Sequence, residues 1–173
     1  DSPLPFDQNW AREVIGELRI GAQDSSSAVS VPEGDKPLVL VVEDNADMNR
    51  FLAGTLQTDY RVVSACNGRQ GLAQALAMPP DLIISDVMMP EMDGEQMVRQ
   101  IRQHAALAEI PIVMLTAKAD DDLCVRLLKF GVQDFLHKPF SVDELLARAG
   151  KLVAERRRTH AQLQESETRF QVT

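Results

Sequence analysis

The chain alternates between short unbroken apolar runs and longer segments in which apolar residues recur every three or four positions. Leu38-Val39-Leu40-Val41-Val42 is a continuous apolar run rich in β-branched residues, the pattern of a strand buried on both faces. Similar runs recur at 60–65, 81–85, 111–115 and 133–137. Helix-like segments separate them, over roughly 46–57, 68–77, 93–103, 120–130 and from 142 onward. In the second, Leu72, Ala75 and Leu76 are expected to share a buried face; in the fourth, Leu123, Leu127 and Leu128. Strands alternating with such helices predict a parallel sheet covered on both sides. Five βα units within about 115 residues make a complete small α/β domain.

The flanks differ in character. Within residues 1–37, Trp10, Val14 and Leu18 stand at i, i+4 and i+8, the spacing of a short amphipathic helix. Asp24-Ser25-Ser26-Ser27 and then Pro32-Glu33-Gly34-Asp35-Lys36-Pro37 follow, with linker composition. This part reads as a tether from an upstream element, and a first residue of Asp1 is expected of a piece of a longer chain. At the other end, 142–170 contains no proline and one glycine, Gly150. As a single helix it would reach about 43 Å, longer than the domain needs. Val142, Leu145, Ala149, Leu152, Leu163 and Phe170 follow a 3–4 spacing that Arg156, Thr159 and Ser166 interrupt. Two readings stay open: a packing helix with a polar extension, or a signalling helix that pairs with a second copy.

Charge narrows the classes of function. With 18 basic and 26 acidic residues the net charge is −8, which argues against non-specific binding to nucleic acid or to anionic membranes. No apolar run approaches the ~20 residues that span a bilayer, and no signal-peptide pattern opens the sequence. Cys66 and Cys124 lack metal-like spacing and are expected to be reduced and buried, as in a cytoplasmic protein.

Ligands of open α/β sheets bind beyond the carboxyl ends of the strands, where the strand order reverses. Those ends carry Glu43-Asp44 after the first strand, Asp86 after the third, Thr116 after the fourth and Lys138-Pro139 after the fifth. Three carboxylates on one rim are unfavourable unless a cation compensates them. Mg²⁺ is the natural candidate, because it is hard, prefers oxygen and keeps water positions open for a phosphate oxygen. Any one carboxylate has a simpler explanation; Asp44, for instance, could cap the helix starting near Ala46. That explanation fits all five positions poorly.

These residues carry a family resemblance. Residues 38–154 closely resemble the response-regulator receiver domain of two-component signalling. The motifs are Val41-Val42-Glu43-Asp44-Asn45, Asp86-Val87-Met88-Met89-Pro90-Glu91-Met92-Asp93-Gly94, Leu115-Thr116-Ala117 and Lys138-Pro139-Phe140. The resemblance implies a doubly wound, flavodoxin-like (βα)5 fold with a five-stranded parallel sheet in the order 2-1-3-4-5. It implies that Asp86 is the nucleophile, taking a phosphoryl group from a phosphohistidine donor, a histidine kinase or a phosphotransfer protein. Glu43, Asp44, Asp86 and the Met88 carbonyl would hold Mg²⁺. Lys138, the Thr116 hydroxyl and the Ala117 N–H would meet the phosphoryl oxygens, and Lys138-Pro139 would be a cis peptide. Such transfer needs in-line positioning and charge neutralisation more than a strong base. Phe135 stands where the family has a switching aromatic, often tyrosine, and lacks its hydroxyl.

Other residues have plainer readings. Met88, Met89 and Met92 read as gap fillers, Asp93 as the cap of the third helix, and His137 as a solvent-facing residue at a strand end. Met88 and Lys118 stand where the family orients or excludes the hydrolytic water, and a thioether accepts hydrogen bonds weakly, so slow self-dephosphorylation is expected. Arg156-Arg157-Arg158 reads as a solvated helix face. Residues 155–173 are expected to form a helical extension, and Glu165-Ser166-Glu167-Thr168-Arg169-Phe170 resembles the entry into PAS sensor domains. With Leu115-Thr116-Ala117-Lys118-Ala119-Asp120-Asp121, this is similar to receivers within hybrid sensor histidine kinases. Two other classes remain: an Asp-nucleophile, metal-dependent phosphatase, and a docking module that works without phosphorylation. Such phosphatases commonly carry a second Asp where Met88 stands.

Overall fold

A computed structural model describes residues 36–117 and 121–170. The strands are β1 (Leu38–Val42), β2 (Arg61–Ala65), β3 (Leu82–Asp86), β4 (Ile112–Thr116) and β5 (Asp134–His137). The helices are α1 (Ala46–Leu56), α2 (Gly68–Ala77), α3 (Gly94–Gln103), α4 (Asp121–Lys129) and α5 (Val142–Phe170), with a short 3-10 turn at Ala105–Leu107. All strand pairs are parallel, in the order β2-β1-β3-β4-β5, so the order reverses beside β1 and β3. The expected fold and strand order are those observed.

Burial explains why the apolar runs became strands. All five residues of β1 and all five of β4 are buried, and such a side chain contributes roughly 1.5–3 kcal/mol on leaving water. The edge strand β2 is mostly exposed or half-buried and keeps charged Arg61 in the open, as suits an edge. On one side of the sheet, Leu40, Val42, Ile83, Val87 and Met114 pack with Met97, Val98 and Ile101 of α3 and Leu127 of α4.

Short polar side chains start the helices. Asn45 caps α1 by accepting from the Met48 N–H at 3.0 Å, so the cap is Asn45 rather than Asp44. Asn67 caps α2, Asp93 caps α3 in a capping box with Gln96, and the Ser141 hydroxyl accepts from Glu144 N–H at the start of α5. Gly94 has no freedom to be larger, since a Cβ there would collide with the Asp86 carbonyl; this contact lets α3 start directly against the end of β3.

Three expectations about burial are corrected. Leu76 is 45% exposed and Leu128 is 55% exposed, because Ala75 and Leu127 already fill the inward positions and the next residue turns about 100° away. Cys66 is exposed and Cys124 half-buried, since both lie outside the strands and inward helix faces. The seam in α5 also divides: Leu145, Ala149 and Leu152 are buried, whereas Leu163 is 53% exposed. Arg156, which interrupts the seam, turns to Asp81 with Nε 3.7 Å from its carboxylate; Asp81 also accepts from the Leu38 N–H. The helix expected around Trp10 to Leu18 lies outside the described residues.

Away from the strand ends that carry the acidic groups, Arg102 gathers three segments. Its guanidinium donates to the carbonyls of Leu107, Ala108 and Ile110 and to those of Phe130 and Gly131. Gly131, at φ +79, supplies the left-handed turn between α4 and β5.

Candidate functional site

The carboxyl ends of β1, β3 and β5 bring together Glu43, Asp86 and Lys138, with Asp44 just past β1, while Thr116 ends β4 with its hydroxyl turned to His137. Oxygens of Glu43, Asp44 and Asp86 lie within 4.8 Å of one another. The Lys138 ammonium stands 3.1 Å from Asp86 Oδ2 and 3.4 Å from Glu43 Oε2. Backbone geometry fixes the other side of Asp86: its Oδ1 accepts from the Val87 N–H at 2.7 Å and more weakly from the Met88 N–H at 3.4 Å. The central carboxylate is thus oriented by the chain that follows it and by the cation from β5.

Glu43 is the deepest of the three at 1% exposed, whereas Asp44 is exposed and Asp86 half-buried. Burial, with the Asp86 carboxylate next in effect, pushes the Glu43 carboxyl up to about 8 against the pull of Lys138. Once Glu43 gives up its proton, three carboxylates against one ammonium leave a formal charge of −3 + 1 = −2. A hard, oxygen-only donor set short of two positive charges fits a divalent cation of the Mg²⁺ kind. Asn49, which no motif singled out, ties this corner together: its amide donates to the carbonyls of Glu43 and Ala65.

The remaining expected residues fall around this rim. Lys138-Pro139 is cis. Met88 is 77% exposed in the loop after Asp86, and Ala117 directly follows β4. Lys118 lies outside the described residues. Phe135 is half-buried against the cluster that contains Met114. His137 is exposed at the end of β5, as expected, and in addition its Nδ1 is 2.9 Å from the Thr116 hydroxyl oxygen; Thr116 is 3% exposed. Sequence spacing carried no sign of that contact, which depends on the β4–β5 register.

Fold and rim together define a receiver-type module: a doubly wound parallel sheet with an acidic rim at the carboxyl ends of its strands. The chain belongs to the response regulator receiver domain family, whose model matches residues 39–150. Over 119 residues it is 50% identical to hybrid signal transduction histidine kinase D of Dictyostelium discoideum, covering 69% of this chain and 8% of that protein. Over 137 residues it is 45% identical to sensor histidine kinase TmoS of Ectopseudomonas mendocina, covering 79% of this chain and 14% of that protein. The chain therefore spans only a small part of either relative. Among solved structures, the chemotaxis protein CheY4 of Vibrio cholerae matches with TM-score 0.65 and 33% identity over 68% of this chain and 98% of that one. The receiver domain of a signal transduction histidine kinase from Syntrophus aciditrophicus matches with TM-score 0.64 and 35% identity, over 69% and 91%.

Proposed function

We propose that this receiver takes a phosphoryl group from a phosphohistidine onto Asp86 in a Mg²⁺-dependent reaction. The observation that carries the reading is the grip on Asp86, between the Val87 N–H on one oxygen and Lys138 on the other, amid two further carboxylates. An Asp86 oxygen forms the new O–P bond as the donor's P–N bond breaks, and the imidazole leaves with the electron pair and a proton. Glu43, Asp44, Asp86 and the Met88 carbonyl would hold the Mg²⁺, which supplies neutralisation of the phosphoryl charge. Lys138 holds one phosphoryl oxygen electrostatically, while the Thr116 hydroxyl and Ala117 N–H donate to others. Turning Thr116 toward the phosphoryl group leaves space on the side of Phe135, and Phe135 moves into it as the switch.

The parent protein is read as a hybrid sensor histidine kinase working in the cytoplasm, in line with the relatives above. The domain is placed at 38–154 between a tether (1–37) and a helical extension (155–173) leading toward a PAS-like entry. Two features favour a second copy as partner of that extension: α5 continues unbroken to Phe170, and Leu163 is exposed on it. No helix among the described residues is long and apolar enough to cross a membrane, and the acidic balance supports no nucleic-acid partner.

Intact-protein mass spectrometry after incubation with acetyl phosphate and Mg²⁺ tests the reading. One adduct of about 80 Da that needs Mg²⁺ and is lost in Asp86→Ala is the expected result. An adduct that survives in Asp86→Ala puts the phosphoryl group elsewhere and contradicts the reading; no adduct with either acetyl phosphate or a phosphohistidine donor contradicts it and favours the phosphorylation-independent docking module.

A further inference from the structure

The contact between Thr116 and His137 joins two residues that are register partners on neighbouring strands. Their backbones are tied as well, the Lys138 N–H donating to the Thr116 carbonyl at 2.8 Å. In a parallel pair, partners project to the same face and successive residues alternate. Thr116 and His137 therefore share a face with Met114 and Phe135, which are also partners. Asp86 is the partner of Leu115 and projects to the other face. The Thr116 hydroxyl, 2.9 Å from His137 Nδ1, is thus held on the Phe135 side of the sheet, away from the carboxylate that accepts the phosphoryl group.

Threonine settles in staggered χ1 wells about 120° apart, and its hydroxyl has a single proton to donate. Swinging the oxygen toward a phosphoryl group on Asp86 carries it off the imidazole, so the two hydrogen bonds are alternatives. We propose that His137 is a positioning residue: it latches Thr116 in the resting rotamer and so raises the threshold for phosphorylation and switching. This rests on the reading of Asp86 as phosphoryl acceptor. Among the described residues His137 hydrogen-bonds Thr116 and neither the acceptor nor the metal ligands, so it acts through Thr116.

The test measures adduct formation from acetyl phosphate in the full chain for wild type, His137→Val, His137→Asn, Thr116→Val and the Thr116→Val/His137→Val double variant. Losing one net hydrogen bond of 0.5–1.5 kcal/mol corresponds to about a two- to tenfold change, so His137→Val should phosphorylate faster by that factor. Asn, whose amide can occupy the place of Nδ1, should restore the slower rate. In the Thr116→Val background the His137 substitution should change nothing, because a cycle of this kind isolates the pair. An unchanged or slower His137→Val overturns the latch; slower would mean that the imidazole helps present the hydroxyl.

A second readout does not depend on phosphorylation. Three-bond NMR couplings of Thr116 in the unphosphorylated chain should report one χ1 rotamer in wild type and rotamer averaging in His137→Val. Should wild type form no adduct with acetyl phosphate or with a phosphohistidine donor, the acceptor reading fails, and the couplings alone decide the latch. Identical couplings in the two proteins overturn it.

Discussion

Replacing Glu43 by glutamine should flatten a pH dependence of stability that the metal-free wild type shows. The Glu43 carboxyl is almost fully buried, and burial, reinforced by Asp86, raises it from 4.5 to about 8. Between those two values the folded chain keeps a proton that the unfolded chain has released. A carboxyl raised in this way contributes stability below its unfolded pKa and loses it as pH climbs through the folded one. The loss runs at up to about 1.4 kcal/mol per pH unit for one proton, on the order of 5 kcal/mol across the interval. Urea denaturation in EDTA, followed by circular dichroism from pH 5 to 8, gives the stability of wild type and Glu43→Gln. Their difference cancels titrations common to both, including the histidines. Wild type should lose stability relative to Glu43→Gln as pH rises. Adding Mg²⁺ at a hundredfold excess over its dissociation constant should return about 2.7 kcal/mol to wild type, and the ion should bind more tightly toward pH 8, where the proton competes with it least. A difference that stays flat with pH, or favours wild type as pH rises, would refute the reasoning.

Arg102→Ala strips a cation from five carbonyls and should destabilise the domain by about 3 kcal/mol, read from urea midpoints; Arg102→Lys should recover less than half, since an ammonium cannot span the same fork. A loss within experimental error would mean that water replaces the guanidinium fully. The phosphorylated form should persist for minutes to hours by mass spectrometry, and Met88→Asn should shorten that; a wild-type lifetime of seconds would contradict the role given to Met88. Truncation after Ala154 should abolish phosphorylation-dependent self-association in sedimentation velocity, and its survival would acquit the helix as transmitter.

Much of this was legible in the residues because the sheet is buried on both faces. Strands such as β1 and β4 have no polar side to blur the apolar run, and each observed boundary fell within a residue of the expectation. The rim was legible for a related reason: charged residues immediately following such runs have only the sheet edge to occupy. Local competition hid the rest. Asp44 and Asn45 are adjacent and both cap well, and only the backbone conformation at Asn45 decided between them. Leu76 and Leu128 carry helix periodicity, yet an apolar neighbour had already filled the inward position. The Thr116–His137 contact and the Asn49 amide depend on register and on chain crossing, which no single-segment pattern encodes.

Arg102 has a mechanical consequence. By holding the Phe130 and Gly131 carbonyls it pins the C-terminal end of α4 to the end of α3. A rod fixed at one tip responds to a push at the other by tilting. Nine residues of helix make a lever of about 13 Å, so a 1 Å displacement of its N-terminal tip would turn α4 by about 4°. The half-exposed Val125 and Leu128 ride on that lever, and the guanidinium is its fulcrum. A looser fulcrum would let the same push slide the helix bodily, so that the surface would shift rather than tilt.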